Sequence, residues 1–448
     1  MEGLEIQEFN LASILKHENI RLEAEFYTSQ TELFSEYFLG KDIIKSCTYN
    51  SIYGMNAEGK GYPAIRMNEF DGLFTGKPTQ FAHNFLLEDF KKHQLKENDI
   101  LICRTNGNPN LVGKSALVMI DEPYVYESHL FKIQPKQEII NSHTLATYLN
   151  CKYGKQEIFR YSMQGNQSNF SLAKFKEMKI PKFSSALQKD IKILISSSFE
   201  KLQKSKEAYQ AAQDLLLDHL GLKDFNLPAQ AVNVKSFSDS FGRSGRLDAE
   251  FYQEKYEGYL KKIQAYPYGC EPIRTACKLK DANYTPKDNQ TYRYIELSNI
   301  GNLGEITGAS LDLGCNLPSR ARRKVSKNDV IVSSIEGSLA SCAIVSEQHH
   351  QALCSTGFYV VSSEKINSET LLILFKSEPI QQLLKQGCSG TILTAINKDE
   401  FLNIPLPLVD ANIQTQIADL IRQSDRLRQK SQALLEEAKR KVEQAIEG

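Results

Sequence analysis

The chain contains one unit twice. Arg21-Leu22-Glu23-Ala24-Glu25-Phe26-Tyr27 returns as Arg246-Leu247-Asp248-Ala249-Glu250-Phe251-Tyr252, and two further markers keep their order at nearly the same offset. Leu95-Lys96-Glu97-Asn98-Asp99-Ile100-Leu101-Ile102 is matched by Val325-Ser326-Lys327-Asn328-Asp329-Val330-Ile331-Val332, and Ile180-Pro181 by Ile404-Pro405. A polar-rich helical stretch follows each Ile-Pro. Shifting one stretch by 226 positions lays Gln188 on Gln414, Ile191 on Ile417, Ser198 on Ser424 and Gln203-Lys204-Ser205 on Gln429-Lys430-Ser431. Solenoid repeats run about 20–50 residues, so a period this long means duplicated domains. Two similar but diverged units in tandem suit a partner that itself has two related, unequal halves.

Within a unit the pattern is α+β. Arg21 to Phe38 carries Leu22, Phe26, Leu33 and Tyr37 near one helical face, and beyond it the chain turns β-like. Ile100 to Cys103 and Ser115 to Ile120 are short apolar runs bounded by Gly, Asn and Pro, as strands joined by loops should be. Tyr292 to Ile295, Asp329 to Ser333, Ala343 to Val345 and Gly357 to Val361 match them in the second copy, and Thr370 to Gln386 reads as its clearest internal helix.

The stretches after Ile-Pro are sharper. Ile413, Ile417, Leu420, Ser424, Leu427, Ser431, Leu434 and Ala438 step alternately by four and three, a heptad seam. Leu187, Ile191, Leu194, Ser198, Leu202, Ser205, Ala208, Ala212 and Leu215 repeat it in the first copy, with Lys201 interrupting. Seams with small residues at matching depths predict an antiparallel intramolecular coiled coil. Ile191, Leu194, Leu202, Ile417, Leu420, Leu427 and Leu434 are its interhelix positions. Around 32 helical residues span roughly 48 Å. The expected plan is a mixed, mainly β domain at 1–183, a helix at 184–221, a linker at 222–245, a second domain at 246–409 and a second helix at 410–448.

Chemistry-bearing motifs are few. Lys and Arg total 54, as do Asp and Glu, so overall charge announces no polyanionic partner. Nine Cys without a C-x-x-C pair, no signal peptide and no apolar run of about 18 residues point to reduced thiols in a cytoplasmic protein, with neither membrane nor metal site. Gly107 to Ser115 imitates a P-loop. Its glycines are one residue too far apart, and an apolar run follows where a helix N-terminus is needed. His349-His350 stands without a ligand partner and is expected in a surface loop. No nucleophile elbow, zinc-protease helix, adenosyl-cofactor turn or Asp/Asn-Pro-Pro-aromatic motif is found, so no catalytic residue is assigned.

The remaining polar loops suit DNA. Arg104, Asn106, Asn108 and Lys114 lie between two predicted strands. Asn316, Arg320, Arg322, Arg323 and Lys324 belong to a cationic run that continues to Lys327 in the second copy. Gln164 and Asn166 in one copy, and Ser389 and Thr391 in the other, precede each Ile-Pro in small Gly-bearing segments. Such side chains hydrogen-bond base edges and phosphates.

These residues together resemble the specificity subunit of Type I restriction-modification systems. The resemblance rests on Arg-Leu-Glu/Asp-Ala-Glu-Phe-Tyr opening each half, on the Asn-Asp-Ile/Val strand, and on Asn403-Ile404-Pro405-Leu406-Pro407-Leu408 followed by Gln414, Gln416-Ile417-Ala418 and the terminal seam. It covers almost the whole chain; Lys182-Phe183-Ser184-Ser185 departs from the Pro-rich pattern of the second copy. The resemblance implies two target-recognition domains, each reading half of a split, asymmetric double-stranded DNA sequence. The two helices would act as a ruler and dock two modification subunits that methylate adenine with S-adenosylmethionine, and restriction subunits would complete the nuclease. This chain would hold no cofactor. The residues leave open an analogous reader in a two-subunit restriction enzyme or another methylation-based phage-defence system, and a diverged fused methyltransferase or nuclease.

Overall fold

A computed structural model describes residues 34–50, 54–83, 86–162, 168–225, 232–390 and 394–448. The first heptapeptide, Arg21 to Tyr27, lies outside them. The chain divides into two compact units, residues 1–202 with 429–448, and residues 203–428.

In the first unit a six-stranded sheet runs in the order 44–49, 130–135, 100–103, 115–117, 74–75, 70–71, and a four-stranded sheet in the order 125–126, 62–65, 80–82, 55–56. Both mix parallel and antiparallel pairs, for example Val125 beside Ala64 in parallel and Ala116 against Leu101 antiparallel. Helices Ser142–Asn150 and Lys152–Tyr161 cover the larger sheet, and their Leu145, Tyr148, Leu149 and Ile158 are buried with Ile100, Ile102, Phe131 and Ile133. The second unit repeats the plan with two four-stranded sheets, ordered 278–279, 358–362, 330–333, 342–344 and 310–313, 291–295, 353–355, 321–324.

The Asn-Asp marker is a turn. Asn98 and Asn328 have φ of +71° and +67°, a left-handed conformation that Asn tolerates better than most residues. The carboxylate of the next residue ties the turn back. Asp99 Oδ2 accepts from the Lys96 N–H at 2.9 Å and Asp329 Oδ2 from the Ser326 N–H at 2.7 Å. Each Asp is buried and needs a cation. Lys132 supplies it from strand 130–135 at 3.1 Å, whereas Lys280, just past strand 278–279, supplies it in the second unit at 2.7 Å.

The long helices are Ser185–His219 and Ala411–Glu447, and they pair antiparallel. In the first unit Ser198 Oγ donates to the Ser431 carbonyl at 2.9 Å. In the second unit Ser205 and Ser424 bond reciprocally. Ile191, Ile195 and Leu202 join the first core, as do Ala438 and Val442 from the partner helix; Tyr209, Ala212, Ile417 and Ile421 join the second. Leu194, Leu420, Leu427 and Leu434 are half-buried along the seam.

Three expectations are corrected. Tyr37–Leu39 is a strand and not the end of a helix, because it pairs antiparallel with Lys179–Pro181 and so gives the first Ile-Pro marker its partner. Tertiary pairing there overrides the apolar spacing. The segment Thr370 to Gln386 is two helices, Ser368–Lys376 and Glu378–Gln386, broken at Ser377 with Pro379 in the opening turn of the second, where its missing N–H costs nothing. His349 is buried and not in an open loop; Ser346 Oγ lies 3.0 Å from its Nδ1, and burial lowers its pKa.

Candidate nucleic-acid interface

In the first unit the two loops singled out from sequence meet. Thr105–Asn106 pairs antiparallel with Ser168–Asn169, and the Phe170 N–H donates to the Arg104 carbonyl at 2.8 Å. Gln164 and Asn166 lie outside the described residues. Asn106 and Asn108 hold the turn: Asn106 Oδ1 accepts from the Asn108 N–H at 2.8 Å, and Asn108 Oδ1 from the Asn110 N–H at 3.1 Å. Gly113 closes the loop at φ +79°, and a Cβ there would lie 2.2 Å from Ile158 Cγ2, so only glycine fits. Ser115 then opens strand 115–117, leaving no helix N-terminus for a phosphate.

The cations of this loop differ in environment. Lys114 reaches over the Phe70 ring, 6.0 Å from its centroid, and burial lowers its pKa against the pull of Cys103 and Asp71. Arg104 stacks on Tyr49, with its guanidinium carbon 5.7 Å from the ring centroid. Its Nε is buried without a hydrogen-bond partner. The Tyr49 hydroxyl accepts from the Leu172 N–H at 2.7 Å, and burial raises its pKa. Tyr49 was not marked by the sequence. It ends a strand far from Arg104 in the chain, and nothing local distinguishes it from the other tyrosines.

In the second unit the corresponding loops are strung together by backbone hydrogen bonds. The Arg320 carbonyl accepts from the Thr356 N–H at 2.9 Å, the Gly357 carbonyl from Ser334 at 2.9 Å, and the Ser334 carbonyl from Ile396 at 2.8 Å. Strand Cys388–Ser389 pairs with Ala395–Ile396, which places exposed Ser389 at the end of this series; Thr391 lies outside the described residues. The cationic run is largely committed within the protein. Arg320 donates to the Tyr294 hydroxyl at 3.0 Å and to Glu296 at 3.1 Å, partners that raise its pKa. Arg322 gives Nε to the Ser319 carbonyl, Lys324 lies over the Tyr284 ring, Arg323 has a buried Nη1 without a partner, and Asn316 donates to Asp312. Arg322, Lys324 and Asn316 are exposed, while Arg323 is half-buried.

The second heptapeptide holds one end of this series. Arg246 pairs with Asp248 at 2.7 Å and donates to the Cys388 carbonyl at 3.0 Å, while the Phe251 carbonyl accepts from Gln386 at 2.9 Å. The marker thus fixes the end of helix Glu378–Gln386 and the start of the Ser389 strand. Among the described residues no group of His, Cys, Asp and Glu could hold a metal ion. No helix there is long and apolar enough to cross a membrane.

No curated protein matches this chain. Among solved structures, the S subunit of a Type I restriction-modification system from M. genitalium is 12% identical with a TM-score of 0.40, covering 92% of this chain and 95% of that one. The HsdS subunit from Thermoanaerobacter tengcongensis is 10% identical with a TM-score of 0.30, covering 92% and 96%. A structure of the Type I system described by its complex assembly and conformational transition is 13% identical with a TM-score of 0.28, covering 90% and 97%. The family described as the Type I restriction modification DNA specificity domain matches twice, over residues 38–208 and 273–440, each time taking in strands, loops and most of a long helix. The chain therefore belongs to the Type I restriction-modification specificity family, whose members are non-catalytic subunits that recognise the DNA target for modification and restriction.

Proposed function

We propose that the chain reads a bipartite, asymmetric target, one half by each unit, and directs N6 methylation of adenine there. The carrying observation is that the family matches twice, once over each globular part with its helix. On this reading residues 1–183 and 246–409 are the recognition domains, 184–221 and 410–448 the spacer helices, and 222–245 the linker. Residues near 104–114 and 164–169 read one half, and residues near 316–327 and 387–391 read the other. Two modification subunits carrying S-adenosylmethionine dock on the helical seam, restriction subunits complete the nuclease, and the whole works on cytoplasmic DNA. Mapping methylated adenines genome-wide in cells with and without the gene tests this. A two-part sequence methylated only with the gene is expected; a continuous motif, or none, would overturn it.

A further inference from the structure

The candidate arginines are not equivalent. Arg320 already spends its guanidinium on Tyr294 and Glu296, Arg322 gives Nε to Ser319, and Arg323 has a buried Nη1. Arg104 combines a fixed base with free ends. Its backbone is held on both sides, by its N–H to the His129 carbonyl at 2.7 Å and by its carbonyl from Phe170 at 2.8 Å. Its Nε is buried and its guanidinium lies on Tyr49, whose hydroxyl is anchored by Leu172. Among the described residues neither terminal nitrogen of Arg104 has a hydrogen-bond acceptor, and neither is a buried atom lacking one. A planar fork with both ends unspent and its stem immobilised is pre-organised for two parallel acceptors.

We propose that Arg104 reads a guanine through its O6 and N7, and that Tyr49 is the positioning residue that aims it. This rests on the first unit reading one half of the target. Of the base edges in the major groove, guanine alone presents two adjacent acceptors to such a fork, and lysine cannot reproduce the planar pair. Tyr49 acts through its ring, because cation–π contact holds the guanidinium plane while leaving the terminal N–H groups unspent.

The test is sequencing of methylated sites in cells that make the full chain with its modification subunits, as wild type or as Arg104→Ala, Arg104→Lys, Tyr49→Leu or Tyr49→Phe. Wild type should show a fixed G·C pair in one half. Both Arg104 variants should lower the preference for that pair about ten- to hundredfold while leaving the other half unchanged. Tyr49→Leu should reproduce the loss at the same position, and Tyr49→Phe, which keeps the ring, should retain the preference. An unchanged motif in the Arg104 variants, an even fall in methylation over an unchanged motif, or relaxation at an A·T pair would overturn the guanine assignment. Normal preference in Tyr49→Leu would overturn the positioning role. Gel filtration of each assembled complex identifies a variant that does not fold, in which case Arg104→Lys, which keeps the stem over the ring, decides. A wild-type motif without two parts would instead count against the two-half reading itself.

Discussion

Ser205 and Ser424 donate to each other's backbone: Ser205 Oγ to the Ser424 carbonyl at 2.7 Å and Ser424 Oγ to the Ser205 carbonyl at 2.8 Å. Side-chain hydroxyls reach a neighbouring helix backbone only where both helices present small residues. Ser205→Ala should therefore cost little, about 1 kcal/mol, since the small volume is kept and one hydrogen bond is lost. Ser205→Leu should cost about 1–3 kcal/mol by overpacking the same contact. Urea unfolding of the full chain measures both; a leucine variant as stable as the alanine variant would mean that the close approach is not required.

Gln414 occupies the same position in the second unit as Gln188 in the first and makes the same bonds. Its Oε1 accepts from the Asn367 N–H at 2.8 Å, and its Nε2 donates to the carbonyls of Lys365 at 3.0 Å and Val409 at 2.8 Å. Gln188 accepts from Asn141 and donates to Ile139 and Phe183. The glutamine thus fastens the start of each long helix to the helix covering the sheet. Gln414→Ala leaves these groups unpaired and should destabilise by about 2–3 kcal/mol. Gln414→Glu should be at least as harmful at neutral pH, because a carboxylate would face two carbonyl oxygens. A glutamate variant of wild-type stability would show that the donating half of the contact contributes nothing.

His143 is buried on helix Ser142–Asn150, and burial, reinforced by nearby Lys192, pushes its pKa down to about 4. The unfolded chain takes up that proton near pH 6.5, whereas the folded chain does not until about pH 4. Stability contributed by the neutral imidazole is therefore complete above about pH 6.5 and lost as pH falls, by about 3 kcal/mol at pH 4. His143→Gln should flatten this part of the acid limb. Unfolding midpoints of the two proteins between pH 7 and 4 give the comparison, and parallel curves would remove His143 as a source of acid lability.

The features of the fold legible in the sequence are those that repeat. The heptad seam is visible because helical periodicity recurs along the chain, and Asn-Asp is visible as a repeated marker ahead of a strand, whereas the left-handed turn at Asn98 and Asn328 emerges only in the fold. Contacts made across the fold leave no such trace in the sequence. Tyr49 ends one strand while Arg104 lies between two others far along the chain, and Asp99 and Asp329 find their lysines on non-equivalent elements. Nor does a polar loop announce which of its side chains are already used. Asn106 and Asn108 hold their own turn through Oδ1, while Arg104 beside them keeps its terminal nitrogens free.

The serine pairs also define how the proposed ruler must be lengthened. Ser198 meets Ser431 and Ser205 meets Ser424, so the two helices are matched at two depths seven residues apart. An insertion in one helix alone displaces one pair while keeping the other, which sets the seam against itself. Seven residues added to both helices, between Ser198 and Ser205 and between Ser424 and Ser431, preserve both pairs and the heptad phase. Each helix then gains about 10 Å. At 3.4 Å per base pair the unread spacer in the methylated target should grow by about three base pairs, with both outer blocks unchanged. Sequencing of methylated sites in cells making the double insertion reads this directly: an active complex with the original spacer would show that the seam does not set the distance.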